Sequence, residues 1–368
     1  MNSGTDKMYR AICISVIATV SAFALDGRIT TQAGIDTNPS GLANSSTEGV
    51  GTTALSLKHA VDAYRGTLLW NYRLDANGYA QNGSWSGHTH TLGARYTRSL
   101  ASRLSYSGRA YLTYDLNTGT YADYDNQTLG LEASVRYPIA AWRLAAHVGL
   151  SRTTNNQSAA LSNRTTELSG SISHTWDTRT TLRIESEWQT RSYESPALDW
   201  TLSDYNYDGS SQWSVWLRAS QGLTKTVGTR LDLWHDRGIG DPWRIDPISD
   251  AWLIEADPLA SSTDGISTQL SWLGFGGLTY RLSGRYLWLE NSASEQQFVD
   301  PDLATGLEPR SDQRAGLSAS VDGLIPWWML ADKPLGWTAA VSHSRQTSTL
   351  PDYTWNRTAA NLGLQYAW

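Results

Sequence analysis

Charged side chains fall on the polar side of a two-residue alternation along much of this chain, a placement that lets residues from several strands act together. In an extended strand, successive side chains alternate between two faces, so residues two apart point the same way. Arg73, Arg95, Arg109, Glu132, Arg136 and Arg143 fall on the polar face of consecutive alternating segments. Glu167, Arg183, Glu185, Glu187, Arg218, Arg230, Asp232, Arg281 and Arg285 continue the series. If these faces line one wide lumen, opposed charges set up a transverse field that selects solutes. The arginine excess on the early segments points to anionic or hydroxylated solutes. The plainer alternative is that the Arg–Glu pairs brace a lumen plugged by loops.

Other candidate chemistry is thinner. The stretch Arg237–Asp264 holds Asp241, Asp246, Asp250, Glu255, Asp257 and Asp264 against Arg237 and Arg244. Clustered carboxylates can hold calcium, but this spacing follows no known loop pattern, and a solvated surface is the simpler reading. Trp243 and Trp252 within it, with Trp85 and Trp200 elsewhere, have rings that stack on sugars or pack loops. His88 and His90 lie one residue apart without an obvious third metal ligand. His235-Asp236 is an adjacent pair of a kind that chance supplies. No catalytic, metal or cofactor site is assigned.

The elements that would position these residues are strands. Leu129, Leu131, Ala133, Val135 and Tyr137 alternate with Thr128, Gly130, Glu132, Ser134 and Arg136, and Leu278–Trp288 behaves alike. Strand centres fall near residues 30, 55, 69, 95, 110, 132, 147, 170, 185, 215, 231, 270, 284, 318, 341 and 362. That is about sixteen strands, with fourteen and eighteen left open. Short connections such as Ala101–Arg103 and Asp177–Arg179 alternate with long ones such as Asp36–Gly49 and Asn291–Asp312. The expected fold is all-β: an antiparallel up-and-down transmembrane barrel, with short turns periplasmic and long loops outside. Gly323–Gly336, holding Pro326, Trp327, Trp328 and Pro334, falls on the short side without being short. It reads as an interfacial turn anchored by two indoles, unless the strand count is wrong there.

Composition agrees. The chain has 18 Trp and 18 Tyr but 3 Phe, a bias toward the amphipathic rings favoured at membrane interfaces. Mean hydropathy is -0.40, and no long apolar run follows Val20, which argues against membrane helices. A barrel spans lipid while staying polar on average, because every second residue faces its interior. The formal charge of -6 argues against a nucleic-acid partner, which calls for a basic face.

The ends supply the targeting signals. Lys7 and Arg10 precede the apolar run Ala11–Val20, and Ala22-Phe23-Ala24 forms a small–x–small cleavage site. Residues 1–24 are therefore expected to be a removed signal peptide, and 25–368 the barrel. Cys13, the only cysteine, would leave with it, so the mature chain would have no disulfide or thiolate ligand. At the other end, Asn361, Gly363, Tyr366 and the terminal Trp368 stand in the pattern polar–x–Gly–x–x–aromatic–x–aromatic. This resembles the C-terminal signal of bacterial outer-membrane barrels. In size and strand count the chain resembles the porins of Gram-negative bacteria. The resemblance implies outer-membrane lipid, lipopolysaccharide and the barrel-assembly machinery as partners, and passive diffusion of small hydrophilic solutes as the activity. It leaves open homotrimeric association. Leu116–Asn126, the third outer loop, is too short for the folded-in constriction usual in general porins. The first strand and loop, Ala33-Gly34-Ile35-Asp36-Thr37-Asn38-Pro39, loosely resembles barrels that export exopolysaccharide or surface lipoprotein. Those usually carry helical repeats not seen in this sequence. A plugged structural or adhesive barrel is the third alternative.

Overall fold

The computed structural model describes residues 25–38, 47–81, 83, 86–100, 103–118, 122, 125–156, 162–193, 209–240, 261–290, 310–330, 333–349 and 353–368. Sixteen strands form one closed antiparallel barrel. They are β1 (Asp26–Asp36), β2 (Glu48–Ala63), β3 (Gly66–Tyr79), β4 (Gly87–Leu100), β5 (Leu104–Asn117), β6 (Asn126–Ile139), β7 (Trp142–Asn155) and β8 (Asn163–Thr175). There follow β9 (Thr180–Tyr193), β10 (Ser210–Gly222), β11 (Val227–Gly240), β12 (Ser262–Leu273), β13 (Thr279–Glu290), β14 (Ser311–Leu330), β15 (Lys333–Ser348) and β16 (Trp355–Ala367). Each strand pairs with its sequence neighbours, and β1 pairs with β16 to close the cylinder. Closure leaves no edge with unpaired amides, the requirement for crossing hydrocarbon with strands. Among the described residues no helix is long and apolar enough to cross a membrane.

The two faces of this wall differ in kind. Leu129 and Leu131 are each 58% exposed, and Leu92, Leu150, Leu168, Ile184 and Leu317 on other strands are exposed as well. Fully buried large hydrophobics are few among the described residues. Such a surface in water would be an aggregation hazard; against lipid tails it is at home. The apolar face is therefore the outside, and the charged face lines the interior.

Short turns, the start of β1 and the end of β16 share one rim. Gly27 and Trp368 exchange backbone hydrogen bonds there, at 3.1 and 2.9 Å. The turns are tight enough to force Arg65, Ala140 and Arg179 to positive φ (58°, 52° and 63°). The opposite rim carries the longer connections, in the alternation expected from the sequence.

Two expectations need correcting. Gly323–Gly336 is not a turn: β14 runs on to Leu330 and β15 begins at Lys333, so the segment is a ribbon extending two strands past the rim. Three residues, Pro326 to Trp328, bulge from it. Proline cannot donate to a ladder, and a bulge is where a sheet tolerates it. The stretch Arg237–Asp264 is also shorter as a loop than expected, because β11 continues to Gly240 and β12 begins at Ser262. Asp264 is thus a strand residue facing His235, with Nδ1–Oδ1 at 2.7 Å on the outer wall. The remaining acids of that stretch, Trp85, Trp200, and the signal segment with Ala22 and Ala24 lie outside the described residues.

Candidate functional site: the charged inner wall

Register places the charged residues on one surface. Arg95 stands opposite Arg109, Arg109 opposite Glu132, Glu132 opposite Gly149, and Gly149 opposite Glu167. On the same face, Ser173 faces Arg183, Arg183 faces Arg218, and Arg218 faces Asp232. Asp232 faces Ser267, which faces Arg285. Arg73, Arg136, Arg143, Glu185, Arg230 and Arg281 share that parity with their strand neighbours. All fourteen charged residues proposed from the sequence as lining are therefore on the polar face, as is Glu187.

A cavity of about 600 Å³ lies against this wall on β4–β9, lined among others by Arg95, Arg109, Glu132, Arg136, Arg143 and Glu187. Several of its charges are paired. Arg109 donates to Glu132 at 3.0 Å, Arg183 lies 2.6 Å from Glu185, and His147 Nε2 lies 3.3 Å from Glu167. Arg95, Arg136 and Arg143 have no ion pair among the described residues, and Glu187 is the one lining acid without one. The lining holds five arginines against four glutamates, so a net cationic surplus of one remains, carried by the unpaired arginines. Arg136 and Arg143 flank the β6–β7 turn, which puts that surplus toward the rim of the chain termini.

The other half of the wall is built differently. Asp232 accepts from Arg218 at 2.5 Å and Arg230 at 2.6 Å, while Arg281 pairs with Asp322 and Arg73 with Asp75. Aromatic side chains interleave with these charges. Trp216 and Trp234 are directly opposed on the inner face of β10 and β11, and the Arg285 guanidinium sits 4.9 Å from the Trp234 ring centre. Trp234 lies flat over Gly265, where an added Cβ would come within 2.1 Å of the indole. Tyr111 lies over Gly130 in the same way, at 2.2 Å. Near the loop-side rim, buried Asp36 takes Arg357 Nε at 3.0 and 2.9 Å. Buried Asp312 accepts from Arg310 and Gln346; Gln346 in turn accepts from Arg314 at 3.0 and 2.6 Å.

Sequence reasoning missed these inward aromatics because it assigned Trp and Tyr to the lipid. Parity held the clue: Trp216 is two residues before Arg218, and Trp234 two after Asp232. Two polar clusters were missed too, Asp36–Arg357 across the β1–β16 seam and Asp312–Gln346–Arg314 across β14 and β15, because nothing local in the sequence marks either pairing. Of the C-terminal pattern, Asn361 and Gly363 share the parity of the inner wall, and Tyr366 and Trp368 that of the outer. His88 and His90 have rings 5.0 Å apart, and His90 Nδ1 lies 2.7 Å from the Tyr72 hydroxyl.

No protein-family model and no curated protein matches the sequence. Among solved structures, OccD3 (OpdP) of Pseudomonas aeruginosa is similar with a TM-score of 0.52 at 10% identity, over 94% of this chain and 91% of that one. OccAB3 of Acinetobacter baumannii is similar with a TM-score of 0.50 at 10% identity, over 94% and 100%. At such identity the likeness establishes the shared barrel fold.

Proposed function

We propose that this chain is an outer-membrane channel through which small hydrophilic solutes diffuse passively, with a preference for anions. The observation that carries the reading is the cationic surplus of Arg95, Arg136 and Arg143 at the inner-wall cavity. An arginine without a carboxylate partner keeps its donors and charge for a passing solute, whereas a paired one mainly fixes the wall. The barrel fold supplies a low-dielectric sleeve, which strengthens these fields relative to bulk water. In this reading the outer wall meets lipid and lipopolysaccharide, long loops face outward, and the C-terminal strand is what the assembly machinery reads. The signal segment delivers the chain to the periplasm.

Planar-bilayer recording on the refolded protein tests the proposal. Discrete ohmic steps with a reversal potential favouring anions in a salt gradient are expected. A protein that inserts but never conducts would mean that loops plug the lumen, and the wall charges are then struts.

A further inference from the structure

Among the described residues, the ribbon formed by β14 and β15 overhangs its neighbouring strands further than any other hairpin of the barrel. Beyond Asp322, β14 has no partner on β13, and beyond Gly336, β15 has none on β16. Gly323–Ile325 and Met329–Leu330 pair only with β15, across the Pro326–Trp328 bulge. A free two-stranded ribbon is marginal in water. This one also displays Trp327 at 84% exposure and Trp328 at 56%, with Met329 and Leu330 exposed beside them.

Its position shows where those side chains go. Tyr366 shares the outward face of β16 with Leu362 and Leu364, yet it is only 5% exposed while Leu362 is 68% exposed. The Tyr366 hydroxyl donates to the Leu330 carbonyl at 2.7 Å. The end of the ribbon therefore lies on the outward side of β16, against the wall that faces lipid, at the short-turn rim. Its apolar surface continues that wall. Tryptophan is the residue most at ease at the boundary between tails and headgroups.

We propose that the β14–β15 ribbon is a membrane anchor that lays Trp327 and Trp328 into the interfacial zone of the leaflet facing the short turns. In doing so it straps the C-terminal strand through Tyr366. Lipid is the occupant because the ribbon is turned onto the lipid-facing wall, so its exposed face continues an apolar surface already given to lipid. The inference rests on the reading of the chain as a membrane-spanning barrel.

The test uses spin labels on the full chain carrying Cys13→Ser, refolded into phosphatidylcholine vesicles. Labels are placed by Trp327→Cys or Trp328→Cys, with Leu129→Cys marking the mid-wall and Thr178→Cys a short turn. Accessibility to oxygen, which partitions into lipid, is compared with that to a water-soluble nickel chelate. The ribbon labels are expected to show an oxygen-to-chelate ratio several-fold above the Thr178 label and below the Leu129 label. A ribbon ratio equal to that of Thr178, with Leu129 still lipid-like, overturns the anchor; the ribbon would then be a periplasmic protrusion suited to a protein partner. A water-like ratio at Leu129 itself would instead bring down the barrel reading. Both ribbon positions are exposed, so either label serves if the other impairs folding.

Discussion

Arg357 and Asp36 show what one side chain does for a closed sheet. They lie on β16 and β1, so their bidentate contact crosses the seam where the two ends of the chain meet. Asp36 is nearly buried. Removing its partner strands a desolvated carboxylate, which costs more than the bond itself gains. Arg357→Ala is expected to lower stability by about 2 kcal/mol, read as a lower urea midpoint of the detergent-folded barrel. Asp36→Asn keeps an acceptor and removes the stranded charge, so its loss should be smaller. If Arg357→Ala leaves the midpoint unchanged, backbone pairing alone holds the seam. Gly265 is the second informative residue. A methyl group there would meet the Trp234 ring at 2.1 Å, so Gly265→Ala must push the indole off the wall and away from Arg285. Overpacking of this kind costs about 1–3 kcal/mol, and the displaced ring should reduce conductance. Adding Trp234→Ala removes the clash and should restore stability toward that of Trp234→Ala alone; a purely additive double variant would refute the contact.

At the scale of strands and turns, most of the architecture was legible in the sequence. A barrel strand is half lipid-facing and half lumen-facing, so hydrophobicity with period two survives along its whole length. Leu129 to Tyr137 and their polar partners placed both ends of β6 within two residues of where they lie. The same parity put Arg95, Arg109 and Glu132 on one face before any register was known. What stayed illegible depended on partners distant in sequence. Whether an aromatic faces lipid or lumen turns on the strand beside it: Trp234 is tolerated inside because β12 offers Gly265 as its seat. The ribbon was hidden for a related reason. Pro326 and Pro334 read as turn residues, and nothing local indicates that the ladder resumes from Met329 to Pro334 after a bulge. Loop ends were misjudged where strands kept pairing through polar residues, as at Asp264.

For the whole molecule, net charge and lumen charge point in opposite directions. The chain is acidic, at -6, yet the cavity retains a surplus of unpaired arginine. A solute's preference should follow the local field, because at 0.1 M salt the Debye length is about 10 Å and distant surface charge is screened. Arg136 and Arg143 sit on adjacent strands of that cavity near the rim of the termini, so Arg136→Glu with Arg143→Glu reverses its sign without touching the Arg109–Glu132 pair. The double variant is expected to move the reversal potential from anion-favouring to cation-favouring. The shift should be large at 0.1 M salt and small at 1 M, where the Debye length shrinks to about 3 Å. Arg73→Glu with Arg281→Glu, the same change of charge at arginines already paired with Asp75 and Asp322 in the other half of the wall, should change selectivity far less. Equal effects from the two double variants would mean that net lumen charge, and not the unpaired arginines of the β4–β9 cavity, governs passage.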